Sequence, residues 1–299
     1  MHQELSNYIS KLLSAIEKTD IKLIDSRDIQ YGQQLKLSDG ESEIKINVYY
    51  SMRKGVSVVL GGKNNSSIYL KLHKLLYGKT VEVVKHDWKR WAGTDESGKG
   101  DFFGPLVVCG FVMEAKFKTR FQEMGIKDSK KMNDKEVIKI AEYLFSNHRR
   151  SFEILILQPA KYNELYKKFS EQNKKLNELL AWMHGRVILN LHEKLKFEGA
   201  VIDKFAGEQV LKGSLKDLDK IALIQRYRAE DDLAVACASI LARYKFLKTM
   251  DELSSKFKMD LPKGASQKVI EVASAFSSKY GKDKLNEVAK IHFKTYSEV

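Results

Sequence analysis

Residues 93–100 read GTDESGKG, two adjacent acids framed by glycines. Gly93, four residues, then Gly98-Lys99 is the spacing of a phosphate-cradling loop, in which backbone N–H groups at a helix start hold the anion. Three features exclude that chemistry. The Ser or Thr that would hold Mg²⁺ is Gly100. The following GDFFGPLVV, with Gly100, Gly104 and Pro105, opposes a helix start. Asp95 and Glu96 would also face the negative charge of the phosphate. The acids make better sense as ligands of hard cations. Mg²⁺ and Mn²⁺ take oxygen ligands, and two such ions about 4 Å apart can activate water and stabilise the leaving oxygen of a phosphodiester.

Such a centre needs further acids from other strands. Asp203 ends the apolar run GAVID, where a carboxylate is costly to bury unless it meets a cation. Glu230 ends IALIQRYRAE, ahead of an Ala-rich helix. Glu230, Asp231 and Asp232 could equally serve as helix caps, but acids at three other strand-end positions favour a shared site. Asp95 and Glu96 point to opposite faces of a regular strand. Both can serve one site only if the strand ends or bends there, for which Ser97-Gly98 is suited.

Gly98 and Gly100 allow a close backbone approach to a ligand or form a mere tight turn, and Lys99 can meet a phosphate as a point charge. Asp128, Ser129, Lys130 and Lys131 form a basic loop before a helix, either a phosphate contact or a solvated loop. His184, within a helix beside Trp182 and Met183, reads as structural. Cys237 reads as a small core residue.

The positioning elements fall into two groups. Residues 4–18 have helical apolar spacing. IKLID, QQLKLS, EIKINVYY and GVSVVLGG alternate like antiparallel strands, and SSIYLKLHKLLYG closes the group as a helix with Ser66 as N-cap and Gly78 at its end. The charged KHDWKRW marks a junction, giving domains 1–85 and 86–299. In the second domain RWAGTDE, GPLVVCGFVME, SFEILILQ, GAVIDKF and KIALIQRYRAE read as strands. Helices are predicted over NDKEVIKIAEYLFSN, where Asn133 and Glu136 form a capping box, and over KKLNELLAWMHGRVILNLHEKLKF and DDLAVACASILARYKFLKTMDELSSKF. Two further helical stretches follow. This is an α/β pattern around one mixed sheet.

The chain of 299 residues has a net charge of +13, which suits a polyanion such as nucleic acid but also a lysine-rich solvated surface. Residues 1–85 hold 13 basic and 9 acidic residues, so the excess is spread over both domains. Two cysteines outside any C-x-x-C pair argue against a disulfide or zinc site and fit a reducing cytoplasm. No apolar run reaches membrane-spanning length, and no obligate protein partner is evident.

GTDESGKGDFFGPLVV resembles the signature of the type 2 ribonucleases H, and within them the ribonuclease HIII family. KDSKKM, NKKLNELLAWMHGRVILNL, VIDKFAG, AEDDLAVACASILARY and AKIHFKTY follow in the family's order. Lys99 within Gly-Lys-Gly, a Glu as the fourth acid and the extra N-terminal domain all resemble the HIII branch. The resemblance implies a ribonuclease H-like mixed sheet with flanking helices, and a small N-terminal α+β domain similar to TATA-binding protein that helps to hold substrate. It implies cleavage of the RNA strand of RNA–DNA hybrids, leaving 5′-phosphate and 3′-hydroxyl ends. Asp95, Glu96, Asp203 and Glu230 would hold two Mg²⁺ or Mn²⁺ ions. Gly98, Lys99, Gly100, Ser129 and Lys130 would contact substrate. The alternatives are excision of single ribonucleotides, as in ribonuclease HII, and nucleic-acid binding without catalysis.

Overall fold

In the computed structural model the described residues are 3–52, 55–62, 66–77, 86–127, 129–203, 210–211, 213, 221–226 and 229–299, with the backbone alone described at Lys131 and Glu230. Gly78, Asp128 and the basic residues Arg53, Lys54 and Lys63 lie outside them. The chain forms two compact units, Met1–Lys85 and His86–Val299.

In the first unit, helix α1 (Gln3–Ile16) precedes strands β1 (Lys22–Ile29), β2 (Gly32–Ser38), β3 (Glu43–Ser51) and β4 (Gly55–Leu60), and helix α2 (Ser67–Tyr77) follows. The strands form an antiparallel sheet in sequence order. Period-two alternation puts Leu35, Leu37, Ile44, Ile46 and Val48 on one face, where they pack with Leu5, Ile9 and Leu12 of α1 and Ile68 and Leu72 of α2. Each such side chain contributes roughly 1.5–3 kcal/mol when buried, so this unit has its own core. The opposite face is polar. Lys36 and Lys45 are cross-strand partners there. Gln34 donates to Asn47 at 2.7 Å, and Asn47 to the Tyr49 hydroxyl at 3.2 Å. Tyr49 therefore lies on this polar face, while Tyr50 packs against the core. Ser66 Oγ accepts from Tyr69 N at 3.3 Å, as an N-cap does.

In the second unit, strands β5 (Arg90–Ser97) and β6 (Leu106–Glu114) lead to helices α3 (Lys118–Glu123) and α4 (Asp134–Asn147). Strand β7 (Phe152–Leu157), helices α5 (Pro159–Glu171) and α6 (Leu176–Leu195), and strands β8 (Gly199–Asp203) and β9 (Ala222–Arg226) come next. Helices α7 (Leu233–Phe257), α8 (Gln267–Tyr280) and α9 (Lys294–Ser297) complete the unit. Among the described residues the sheet order is β7-β6-β5-β8-β9. The β7, β6 and β5 pairings are antiparallel, and β5, β8 and β9 run parallel. Ala92, Leu106, Val108, Ala200 and Ile202 pack with α6 residues on one face. Trp91, Val107, Cys109 and Val201 pack with α7 residues on the other. Coverage on both faces is why LVVCGFVM is a continuous apolar run. Cys109 and Cys237 are buried free thiols, each raised well above its usual pKa by burial. The Asn133–Glu136 capping box forms, with bonds of 2.8 and 2.9 Å.

The structure corrects several boundaries. β9 ends at Arg226, so Glu230 does not end a strand. It sits in a short 3₁₀ turn, Ala229–Asp231, ahead of α7. α7 starts at Leu233 because Asp232 caps it, accepting from Ala234 N at 2.8 Å and Val235 N at 3.4 Å. α3 and α5 were not anticipated. Among the described residues no helix is long and apolar enough to cross a membrane.

Candidate active site

β5 carries two of the predicted acids, and its two edges differ. Toward β6 the ladder stays regular through Ser97–Val107. The predicted break therefore comes after the acids, at Gly98, whose φ is +89°. Toward β8 the ladder stops at Thr94–Ile202. Glu96 and Ser97 outrun β8, and Asp203, its last residue, lies level with Asp95. Val201 faces α7 and Ile202 faces α6, so alternation turns Asp203 to the α7 side, as for Asp95. These two acids thus lie side by side on adjacent parallel strands, on one sheet face, at the point where β8 ends. The third acid, Glu96, points to the α6 side as strand geometry requires, but it lies past the end of β8, where that strand no longer flanks β5, and its charge still raises Asp95.

Asp95 is buried, and its Oδ1 accepts from Glu96 N at 2.9 Å. Burial, and then the neighbouring Glu96 charge, raise its pKa; Ser239 of α7 and the Lys130 charge oppose this. Burial would raise Glu96 too, but hydrogen bonding with His184, together with Lys99, outweighs it and holds Glu96 below the usual carboxylate range. Lys99 Nζ lies 3.4 Å from Glu96 Oε1, so here it faces an acid of the site. Asp203 Oδ1 accepts from Ala229 N at 3.1 Å, which ties the turn carrying Glu230 to the end of β8. The Glu230 side chain lies outside the described residues.

The neighbouring acids have other jobs. Asp231 is exposed. Asp232 caps α7 and accepts from Trp91 Nε1 at 3.0 Å, while His86 Nε2 lies 3.2 Å away. Burial raises its pKa, but hydrogen bonds from His86 and Trp91 turn the net shift downward.

The glycine loop is held from behind. Lys290 is fully buried, and its ammonium donates to the carbonyls of Asp101 (2.8 Å), Gly104 (2.7 Å) and Phe103 (3.4 Å). Burial lowers its pKa to about 7, with Asp101 opposing. A Cβ on Gly98 would collide with the Pro105 carbonyl, whereas one on Gly100 would meet nothing within 4 Å. The Ser129 hydroxyl faces inward rather than toward the surface. It is buried and bonded to Ser239 Oγ at 2.7 Å, which supports the helix residue that bonds Asp95. Arg243, one turn beyond Ser239, donates to the carbonyls of Ser129 and Met132 and pairs with Asp134, pinning the loop that carries exposed Lys130.

Sequence reasoning missed Arg243 and Lys290 and left His184 as a structural residue; helix capping, the alternative it gave for the AEDD acids, is the role of Asp232. The i, i+4 pair Ser239/Arg243 was the available signal for one of them.

Carboxylate oxygens at strand ends are the donor set that hard divalent cations prefer. A buried carboxylate raised by its acidic neighbour is the kind of group a cation would relieve. Among the described residues no three His, Cys, Asp or Glu side chains already form a metal cage. Glu96 is engaged by His184 and Lys99, and the Glu230 side chain is outside the description.

A family model described as Ribonuclease HII matches residues 92–296. Ribonuclease HIII of Protochlamydia amoebophila (strain UWE25) is 40% identical over 225 residues, covering 75% of this chain and 72% of that one. Ribonuclease HIII of Chlamydia felis (strain Fe/C-56) is 40% identical over 259 residues, covering 84% and 82%. Among solved structures, Bst-RNase HIII in complex with Mn²⁺ superposes with a TM-score of 0.63 at 25% identity, over 98% of this chain and 94% of that one. Aquifex aeolicus RNase H3 gives a TM-score of 0.56 at 26% identity, over 98% of each chain.

Proposed function

The chain belongs to the ribonuclease HIII family, whose members are endoribonucleases acting on the RNA strand of RNA–DNA hybrids, and we propose that Asp95, Glu96, Asp203 and Glu230 carry that reaction in the second unit. The observation behind this reading is the alignment of Asp95 and Asp203 on neighbouring parallel strands, with Glu96 adjacent to one and the Glu230 turn bonded to the other.

These four carboxylates would hold the divalent ions, Mg²⁺ or Mn²⁺. Bound there, such ions supply Lewis-acid activation of water and charge stabilisation at the leaving oxygen. The chain's own residues do the rest. Asp95 is fixed by its bonds to Ser239 and the Glu96 N–H, so its orientation is set before substrate arrives. Gly100, open on its outer side, admits a ribose close to the backbone. Lys99 and Lys130 supply positive charge for phosphates, and Arg243 keeps the Lys130 loop in place. Calorimetric titration with Mn²⁺ tests the site. The full chain should bind the ion, and Asp203→Asn should bind it at least tenfold more weakly. Equal affinity of the two would remove Asp203 from the site.

The first unit, which by resemblance follows the TATA-binding-protein pattern, is read as a holder of substrate. What supports this is the polar sheet face with Lys36, Lys45, Asn47 and Tyr49, backed by an independent core. A truncated chain starting near residue 84 should keep most of kcat, raise KM, and show a shallower salt dependence of binding. Each lost phosphate contact removes roughly 0.9 from the log–log slope, a value for B-form DNA extended here to a hybrid. Equal KM and equal slope in full-length and truncated protein would make this face a solvated surface.

A further inference from the structure

Halfway along α6, His184 is fully buried against the site. Its Nδ1 lies 2.8 Å from Thr94 Oγ1, and its Nε2 lies 3.3 Å from Glu96 Oε2. Close packing of α6 on the sheet brings it there. Gly110, the β6 partner of Thr94, has no room for a methyl group, since a Cβ would stand 2.6 Å from Val187 and 2.7 Å from Leu191 of α6.

The chemistry of the three groups sets the donors. A carboxylate only accepts, so the proton facing Glu96 is on Nε2. Thr94 can donate to Nδ1 of that tautomer, which fixes the ring by the bond its other nitrogen makes. The two oxygens of Glu96 therefore have unlike partners. Oε2 faces an enclosed, rigid imidazole. Oε1 faces Lys99, whose side chain is 37% exposed and sits on a flexible stem.

We propose that His184 is a positioning residue for the reaction: together with Thr94 it fixes the orientation of Glu96 through Oε2, leaving Oε1 as the oxygen that can exchange Lys99 for a divalent ion. This rests on the assignment of Glu96 to the metal-binding acids. A metal-ligating carboxylate held by an outer hydrogen-bond partner typically loses 10- to 100-fold in metal affinity or activity when that partner is removed.

The test compares full-length wild type with His184→Gln, His184→Asn and Thr94→Val. The readouts are Mn²⁺ affinity by calorimetry, kcat and KM on a labelled RNA–DNA hybrid, and Tm. The Gln amide nitrogen reaches the place of Nε2, whereas the Asn side chain reaches only that of Nδ1. His184→Asn should weaken Mn²⁺ binding by about 10- to 100-fold and lower kcat by a similar factor, with KM little changed. His184→Gln should regain most of both losses, although its Tm falls as far. Thr94→Val, which frees the ring tautomer, should lower kcat and Mn²⁺ affinity by a smaller factor.

Equal Mn²⁺ affinity and kcat in the Gln and Asn variants, or losses that simply follow Tm, would make His184 a core residue and overturn the proposal. Should both His184 variants fail to fold, Thr94→Val decides, and wild-type values there overturn it. Asp203→Asn is the control. If it loses Mn²⁺ while the Gln and Asn variants match, only the role of His184 fails. If it binds Mn²⁺ like wild type, the metal site fails and this inference with it.

Discussion

Asp203→Asn is expected to fold normally and to cleave an RNA–DNA hybrid on the order of a thousandfold more slowly, a loss of roughly 4 kcal/mol in transition-state stabilisation. The substitution preserves shape and the acceptor oxygen for Ala229 N, so the turn beyond β9 keeps its tie to β8. What disappears is one negative charge at a strand end facing the same side as Asp95. Asp95→Asn should be as severe. Burial, and then the adjacent Glu96 charge, hold its carboxyl up, so neutralising it should cost chemistry without costing stability. Glu230→Gln should join them. Asp231→Asn, at an exposed position, should keep near wild-type cleavage. Asp232→Ala should show its effect mainly in denaturation. Losing the cap costs about 1–2 kcal/mol, and the Trp91 N–H loses its acceptor. Steady-state kinetics with parallel urea unfolding separates the two groups. Wild-type kcat for Asp203→Asn at saturating Mg²⁺ would contradict the site assignment. Severe loss of kcat in stable Asp231→Asn would mean the wrong acid of AEDD has been chosen.

The second large effect is at the glycine loop, where two glycines separate structure from recognition. Gly98 has a φ of +89°, and a methyl group there meets the Pro105 carbonyl. Gly98→Ala therefore carries about 1–2 kcal/mol of backbone strain plus displacement of the loop, and both Tm and cleavage should fall together. Gly100 has open space around it, so Gly100→Ala should leave stability within about 0.5 kcal/mol. If the loop approaches a ribose 2′-OH, the added methyl still obstructs substrate, and hybrid cleavage should drop at least tenfold. Measurement of Tm and kcat/KM for both variants decides. Unchanged kcat/KM in Gly100→Ala would leave the loop as a tight turn with no direct part in recognition.

Local pattern carried much of this arrangement. Acids placed where an apolar alternation stops revealed Asp95, Glu96 and Asp203, because burying a carboxylate on a strand is costly without a partner. The capping box at Asn133 was readable for the same reason: both partners lie within four residues. Contacts between distant segments were not readable. His184 sits in an apolar helix stretch and meets Thr94 only through the packing of α6 on the sheet. Lys290 holds the carbonyls of residues nearly two hundred positions earlier. The AEDD acids look alike in sequence. Only the cap geometry, with Trp91 and His86 converging on Asp232, distinguishes them. β9 was read on to Glu230 because nothing in YRAE, with neither Gly nor Pro, marks a stop, whereas Glu230 lies in a 3₁₀ turn fastened by a distant residue, Asp203.

The most direct test of the account is digestion of a hybrid whose RNA strand is end-labelled, beside the matching DNA duplex and single-stranded RNA, with Mg²⁺ and with Mn²⁺. Internal cleavage confined to the RNA strand of the hybrid, giving 5′-phosphate and 3′-hydroxyl ends and abolished by Asp203→Asn, is the predicted result. Cleavage of the DNA duplex at a comparable rate, or full activity in Asp203→Asn, would contradict it.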